Sequence, residues 1–262
     1  MKQFTSVQDV SDIDGLVALA ETAKAQPLAH SSLGKGKTIG LVFMNPSMRT
    51  RLSTQRAAQN LGMNVITVNV NTDGWSLEFY DGVVMNGGKT EHIKDAAAML
   101  GIYCDIVAIR CFPSLTNREE DYSEYILNQF IRYAGVPVVS MASGQDLTIT
   151  HPPGYELDER FTGDATITTN QDEAIRGADF VYVKNWSSYQ EYGHMPSVGK
   201  DWMLTNERLS VLGSPYVMHC LPVRRGVEMD NEVLDGPQSL ILQQATNRIY
   251  AAQAVLQTIL MK

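Results

Sequence analysis

The feature that restricts the fold most is the uninterrupted apolar run at residues 38–44. Because it lacks polar alternation, it predicts a strand buried on both faces, as in a parallel sheet. Residues 52–62 follow with apolar positions on helical spacing and end at Gly62, so they predict a helix with a glycine stop. Strand, loop and helix in this order indicate an α/β protein.

The same alternation continues along the chain. Residues 64–70, 103–110 and 136–141 predict three further strands because they are rich in β-branched and apolar residues. Residues 121–134 predict a helix, and amphipathic spacing within residues 1–29 predicts another that packs on the first domain. These alternations indicate a doubly wound parallel sheet. The length of 262 residues fits one large or two modest domains.

The loop at residues 45–51 carries the clearest functional signal. A helix N-terminus favours an anion because its first N–H groups have no helical partner and the macrodipole is positive there. Ser47 and Thr50 add hydroxyl groups. Arg49 and Arg51 add planar guanidinium groups that fit two phosphate oxygens at once. The loop therefore predicts a phosphate site, and the alternative is a capped helix with two solvated arginines.

Composition argues against several classes of partner. The net charge of −8 disfavours nucleic acid, which needs clustered Lys and Arg. No run is long and apolar enough to cross a membrane and residues 1–4 start no signal peptide, so we expect a cytoplasmic protein. Cys104, Cys111 and Cys220 lack metal-ligand spacing, so we expect no metal. The Gly-Lys run at residues 34–37 precedes a strand, which argues against a nucleotide loop.

Two motifs, far apart in the chain, resemble those of the aspartate and ornithine transcarbamylases. Ser47-Met48-Arg49-Thr50-Arg51 is similar to the Ser-x-Arg-Thr-Arg carbamoyl-phosphate motif of that family. His219-Cys220-Leu221-Pro222 is similar to its second signature. Further residues resemble the branch that carbamoylates N-acylated ornithine: Trp75, Arg110, Lys184-Asn185-Trp186 and Asn247-Arg248.

The resemblance implies an α/β fold of two doubly wound parallel-sheet domains of the transcarbamylase type, the second one shortened. On this view residues 1–141 bind carbamoyl phosphate, and a C-terminal helix at residues 245–262 packs back on them. The long final helix opens at Asn247. Residues 147–244 form the domain that binds the acceptor, an N-acylornithine.

The resemblance also implies the site residues. Carbamoyl phosphate is bound by Ser47, Met48, Arg49, Thr50, Trp75, Arg110, Cys220, Leu221 and Arg248. The acceptor is bound by Thr90, Lys184, Leu221 and Arg224. The catalytic set is Thr50, Arg110, Cys220 and Arg248, in which Cys220 acts through its backbone carbonyl and needs no thiolate. Independently of the resemblance, Arg110 and Lys184 end predicted strands, at the edge where parallel sheets bind ligands.

Assembly and acyl specificity are also addressed by the resemblance. The loop that holds Trp75 reaches the active site of a neighbouring subunit in this family, which implies a homotrimer with the Trp75 and Thr90 loops shared between subunits. At the position of Thr90, succinyl enzymes typically have proline and acetyl enzymes glutamate, so the acyl group stays open. Thr90 is also a good helix N-cap, which is an alternative to a binding role.

One segment that the resemblance leads us to expect is missing. The fourth strand should lead to a His-Pro-x-Gln motif and a linking helix, but residues 141–146 continue directly to residues 147–157, which are similar to a second-domain strand. The missing stretch includes the loop that forms a knot in this branch. Three explanations stay open: a natural or engineered deletion, an unobserved loop that was closed up by renumbering, or a redesigned chain.

The predicted function is carbamoyl transfer from carbamoyl phosphate to the δ-amine of an N-acyl-L-ornithine, in arginine biosynthesis and without a cofactor. Thr50 and Arg110 would stabilise the oxyanion. The alternative is an impaired or engineered scaffold that lacks His-Pro-x-Gln and binds anions without turnover. A flavodoxin-like nucleotide-binding module ranks last because no glycine fingerprint follows a strand.

Overall fold

The computed structural model describes the chain except for residues 71, 74–75, 112–116, 142–148, 158–161, 163–164 and 186–199. The chain divides into two compact units. The first unit combines Met1–Gly144 with Asn247–Lys262, and the second is Gln145–Thr246. Both units contain helices and parallel strands, so the predicted α/β class is confirmed.

The first unit opens with a short 3-10 helix, Val7–Asp9, and then alternates helices and strands. Its elements are α1 (Ile13–Ala25), β1 (Thr38–Phe43), α2 (Met48–Asn60), β2 (Asn64–Asn69), β3 (Leu77–Glu78), β4 (Glu91–His92), α3 (Ile93–Tyr103), β5 (Ile106–Arg110), α4 (Arg118–Tyr122), α5 (Tyr125–Tyr133) and β6 (Val138–Ser140).

The second unit has shorter elements and a 3-10 helix at Lys200–Trp202. They are β7 (Ile149–Thr150), β8 (Ile167–Thr168), α6 (Gln171–Ile175), β9 (Phe180–Val183), α7 (Asn206–Leu212), β10 (Tyr216–His219), α8 (Asn231–Asp235) and α9 (Ile241–Leu260), whose residues from Asn247 onward belong to the first unit. Over the described residues the strands form two parallel pairs, β7 with β8 and β9 with β10.

The core of the first unit is a four-stranded parallel sheet in the order β2-β1-β5-β6. Successive residues of a strand point to opposite faces, so the strands supply two cores. On one face Ile39 and Leu41 pack with α2 and α9, and on the other Val42 and Val107 pack with α3 and α5. Helices therefore cover both faces, which explains why the run at residues 38–44 has no polar alternation.

The outer strand β6 is bordered by the N-terminal segment. The Phe4 N–H donates to the Val138 carbonyl at 3.0 Å, and the Ser140 N–H donates to the Phe4 carbonyl at 2.7 Å. Phe4 therefore forms a parallel bridge with Val139 at the edge of the sheet. Across the described ranges, no helix has the length and apolar character needed to span a membrane.

Two predicted helix boundaries are wrong for local reasons. The predicted helix at residues 121–134 is two helices, α4 and α5, because Glu124 has a left-handed backbone conformation with φ of 49°. The predicted loop at residues 45–51 ends at Ser47, whose side chain caps α2, so residues 48–51 form the first helical turn.

Three further boundaries differ because tertiary packing decides them. The last helix begins at Ile241 rather than at Asn247, since Ile241 is buried in the core of the second unit. Helix α3 extends to Tyr103, and β5 begins only at Ile106. Of the predicted strand at residues 147–157, Ile149–Thr150 is strand, paired with β8.

Candidate active site

The N-terminus of α2 is the central element of the candidate site in the first unit. Ser47 is its N-cap in an extended conformation, and the Ser47 Oγ accepts a hydrogen bond from the Thr50 N–H at 3.3 Å. Capping uses a lone pair, so the hydroxyl proton can still be donated to an anion. The Met48 side chain is 70% exposed, which leaves its backbone N–H as the group that can face a ligand.

Arg110 ties β5 to the loop that precedes α2. It is the last residue of β5 and is the register partner of Phe43 in β1. The Arg110 Nη1 donates to the carbonyls of Asn45 and Pro46 at 2.9 and 3.0 Å. The side chain is buried, so the guanidinium orientation is fixed by two backbone carbonyls.

Arg248 reaches the same place from α9, far along the chain. The Arg248 Nη2 donates to the Thr50 Oγ1 at 2.9 Å. Thr50 is buried in the first turn of α2. Its hydroxyl oxygen accepts from Arg248, so the hydroxyl proton can be donated to a ligand oxygen.

The electrostatics of this cluster favour an anion. Burial, followed by the positive charges of Arg248 and Arg49, lowers the pKa of Arg110. The Arg49 Nε is buried and has no hydrogen-bond partner among the residues that the structure describes. Buried cations placed side by side are stabilised when an anion binds between them. Arg51, by contrast, is exposed, and its charge acts on Asp73.

A second group of residues lies at the carboxyl ends of β9 and β10. His219 pairs with Val183 in the parallel register, so the residues that follow each strand emerge at one edge. The Lys184 Nζ lies 3.5 Å from the Cys220 Sγ. The buried His219 ring accepts the Leu221 N–H at its Nδ1 at 2.8 Å, and Leu221 has a left-handed φ of 56°.

Glu228 is a residue that the sequence analysis missed. Its carboxylate is fully buried. It accepts the Arg224 N–H at 2.7 Å, forms an ion pair with the Arg224 Nε, and accepts from the Asn185 Nδ2 at 3.2 Å. The carboxylate thereby orients Arg224 and the residue after Lys184. The only sequence signal is an acidic residue between Val227 and Met229, which does not specify a partner.

Thr90 lies in the first unit, between β3 and β4. It is exposed, and its N–H donates to the Ser76 carbonyl at 3.0 Å. The alternative that Thr90 caps a helix is wrong: β4 follows it, and His92 is the N-cap of α3, accepting the Lys94 N–H at its Nδ1 at 3.1 Å. Trp75 lies outside the described residues.

Metal ligands and reactive cysteines are the remaining kinds of chemistry that the sequence could offer. Within the described part of the chain, no group of three His, Cys, Asp or Glu side chains could hold a metal. Burial raises the pKa of Cys104, and it raises that of Cys111 to about 11. Residues 142–146, where the sequence lacks the expected His-Pro-x-Gln motif, lie outside the described residues.

Taken together, the first unit gathers Ser47, Arg49, Thr50, Arg110 and Arg248 around one helix N-terminus. The second unit gathers another set: Lys184, Cys220, Leu221, Arg224 and Glu228. Fold and site define an α/β protein with clustered arginines at one edge of the first unit's parallel sheet.

The chain belongs to the aspartate/ornithine carbamoyltransferase family. Residues 2–153 match the family's carbamoyl-P binding domain, and residues 137–259 match its Asp/Orn binding domain. The resemblance drawn from the two motifs is therefore confirmed. The two matched ranges overlap at residues 137–153.

Named carbamoyltransferases align with nearly the whole chain. An N-succinylornithine carbamoyltransferase of Bacteroides fragilis is 37% identical over 314 positions, covering 99% of both chains. An N-acetylornithine carbamoyltransferase of Xanthomonas campestris is 28% identical, covering 98% of this chain and 97% of the relative. The first alignment spans 314 positions although this chain has 262 residues, so the relative carries residues that this chain lacks.

Solved structures confirm the two-domain transcarbamylase fold. An acetylornithine transcarbamylase complexed with acetylcitrulline has a TM-score of 0.91 at 27% identity, covering 99% of each chain. A mutant N-acetyl-L-ornithine transcarbamylase complexed with carbamyl phosphate and N-succinyl-L-norvaline also has a TM-score of 0.91 at 27% identity, covering 99% of this chain and 100% of that one.

Proposed function

We propose that this protein transfers the carbamoyl group of carbamoyl phosphate to the δ-amine of an N-acyl-L-ornithine, with a succinyl or acetyl substituent. The observation that carries the proposal is the convergence of Arg49, Arg110 and Arg248 on the N-terminus of α2. The named relatives and the ligands of the similar structures support the choice of substrates.

The phosphate of the donor substrate is assigned to the start of α2. The Ser47 hydroxyl, the backbone N–H of Met48 and the Arg49 guanidinium supply donors there, in the positive field of the helix dipole. Trp75 is proposed as a further contact from a neighbouring subunit. The helix dipole and guanidinium charges stabilise the phosphate both when it is bound and when it leaves.

The carbamoyl carbonyl is assigned to Thr50 and Arg110. The unprotonated δ-amine attacks the carbamoyl carbon, a C–N bond forms, and negative charge develops on the carbonyl oxygen. Thr50, held by Arg248, and Arg110, held by two carbonyls, are fixed in advance and so stabilise that oxyanion without reorganisation. The C–O bond to phosphate then breaks, and the departing phosphate takes the amine proton.

The acceptor is assigned to the second unit, with 147–244 as the acceptor domain and 1–141 with 245–262 as the donor domain. The backbone carbonyls of Cys220 and Leu221 would orient the carbamoyl NH₂ and the attacking amine. Lys184 and Arg224 would bind the anionic groups of the acceptor, Arg224 being fixed by Glu228. No cofactor enters this mechanism, which relies on positioning and electrostatics.

We also propose a homotrimer in the cytoplasm, acting in arginine biosynthesis, with the loops that hold Trp75 and Thr90 shared between subunits. Exposed apolar side chains just before Thr90 support an interface there, since Val83 and Val84 are 45% and 76% exposed. Mixing inactive Arg49→Ala and Trp75→Ala chains should restore part of the activity if Trp75 serves a neighbouring site. Absence of any restored activity in mixed oligomers would contradict shared loops.

The test of the function is product formation from carbamoyl phosphate with N-succinylornithine, N-acetylornithine and ornithine in parallel. We expect turnover with an N-acylated acceptor and a loss of about 10²- to 10³-fold in Arg49→Ala. Arg56→Ala is the matched control, because Arg56 is an exposed arginine on the same helix. A folded protein that shows no turnover with any acceptor would overturn the proposal.

A further inference from the structure

The loop that carries Thr90 is exposed along its length. It connects the short parallel strands β3 and β4, and every residue from 81 to 90 is exposed. Gly82 and Gly88 lie in the left-handed region, with φ of 79° and 88°, and glycine has the most backbone freedom to lose when a loop is ordered. Burial therefore does not hold this loop in one place, and polar contacts at its two ends have to do so.

His92 joins the two ends of this loop. Its Nε2 lies 3.1 Å from the carbonyl oxygen of Tyr80, just after β3, and His92 itself ends β4, where the loop returns. The Nδ1 accepts the Lys94 N–H at 3.1 Å. Because a carbonyl oxygen only accepts and a backbone N–H only donates, both bonds require the neutral imidazole with its proton on Nε2. One ring therefore caps α3 and closes the loop.

The residue that accepts from His92 is itself held by two helices. The Tyr125 hydroxyl on α5 donates to the Phe79 carbonyl at 3.2 Å, and the Tyr80 hydroxyl donates to the Glu120 carboxylate on α4 at 2.7 Å. The rings of Tyr80 and Tyr125 stack, with their centroids 5.7 Å apart. The bond from His92 to Tyr80 therefore connects the start of α3 to a fixed point of the first unit.

The position of Thr90 depends on the returning end of the loop. Its N–H donates to the Ser76 carbonyl at 3.0 Å, and the next residue begins the two-residue ladder between β3 and β4. A ladder of this length is marginal by itself. The bond from His92 to Tyr80 adds a side-chain contact across the same two strands, so losing it should loosen the backbone at Thr90.

We propose that His92 is a positioning residue for the acceptor, because the bond from its Nε2–H closes the loop and thereby places Thr90 for the N-acyl group. The kinetic consequence of this inference rests on the proposed carbamoyl transfer. The closed loop rests only on contacts within the first unit, so the two can be tested separately.

Two substitutions separate closing the loop from capping the helix. His92→Asn keeps an amide oxygen that can replace Nδ1, since asparagine is a preferred N-cap, but it has no group at the position of Nε2. His92→Ala removes both contacts and should lower the melting temperature by about 2 to 4 °C, whereas His92→Asn should preserve it. His30→Asn is the matched control, because His30 is an exposed histidine outside this loop.

Steady-state kinetics with an N-acylated ornithine should separate KM from kcat. In His92→Asn the acceptor KM should rise about three- to tenfold, the equivalent of one net hydrogen bond, while kcat and carbamoyl phosphate binding stay unchanged. His30→Asn should change none of these. An unchanged acceptor KM in His92→Asn would reduce His92 to a helix cap and overturn the proposal, and an equal weakening of carbamoyl phosphate binding would also overturn it.

Hydrogen exchange at the Thr90 N–H distinguishes a failure of this inference from a failure of the proposed reaction. Exchange should accelerate about three- to tenfold in His92→Asn and stay unchanged in His30→Asn, because the bond to Ser76 opens more often once the loop is released. Acceleration in a chain without turnover would refute the reaction and support the closed loop. Turnover without acceleration would support the reaction and overturn the closed loop.

Discussion

The arginines of the two units have different neighbours. In the first unit Arg49, Arg110 and Arg248 lie near one another, and the charges of the other two help to lower the pKa of Arg110. In the second unit Arg224 is matched to the buried carboxylate of Glu228. Arginines gathered together provide a site for an anionic ligand, whereas an arginine matched to a carboxylate is held in position. Under the proposed function, the first arrangement would bind the donor and the second would orient the acceptor.

The largest expected effect comes from removing a gathered cation. Arg110→Met should lower kcat/KM by about 10²- to 10³-fold, because the oxyanion loses a fixed donor and the loop before α2 loses its two hydrogen bonds. Steady-state kinetics would measure it, with circular dichroism to confirm folding. Arg110→Lys sharpens the comparison: a lysine that restored most of the activity would show that charge alone is sufficient.

A smaller effect is expected from removing the matched carboxylate. Glu228→Gln should raise KM for the acceptor by about ten- to hundredfold, since Arg224 loses its ionic partner. Binding of carbamoyl phosphate, measured by calorimetry, should hardly change. If carbamoyl phosphate binding weakened as much as acceptor binding, the division of roles between the two units would be wrong.

The cysteines give a milder comparison between the units. Because burial raises the pKa of Cys111 to about 11, only about one thiol in a thousand is ionised at pH 8, and its alkylation should be slow. Ionisation rises with pH, so labelling of Cys111 should accelerate up to its pKa. Cys104 and Cys111 should both label with iodoacetamide more slowly than Cys220 at pH 8, as followed by mass spectrometry, because burial raises the pKa of these two thiols.

The smallest effect should come from a matched pair on the surface. Arg225 forms two hydrogen bonds with Asp235, but both side chains are more than half exposed. Exposed ion pairs contribute little to stability, so Arg225→Ala should leave activity and melting temperature nearly unchanged. A large loss in this variant, measured beside Glu228→Gln, would show that burial is not what distinguishes the two arginines.

Sequence patterns could predict the first unit better than the second. The apolar run of β1 and the cap at Ser47 are local signals, and local chemistry decides them in the structure as well. The role of His92 rather than Thr90 as the cap of α3 depends on the pairing of β4 with β3, which no local pattern reveals. Glu228 is harder still, because its burial and its contact with Asn185 arise only in the folded chain.

Phe4 has a consequence for the solubility of the protein. Strand β6 ends the sheet, and an uncovered outer strand presents backbone groups that can pair with another molecule. By accepting from Ser140 and donating to Val138, Phe4 occupies that row of groups. Trimming the chain up to Thr5 would expose this row of backbone groups, and the expected outcome is edge-to-edge aggregation during storage or refolding, although the trimming removes none of the proposed site residues.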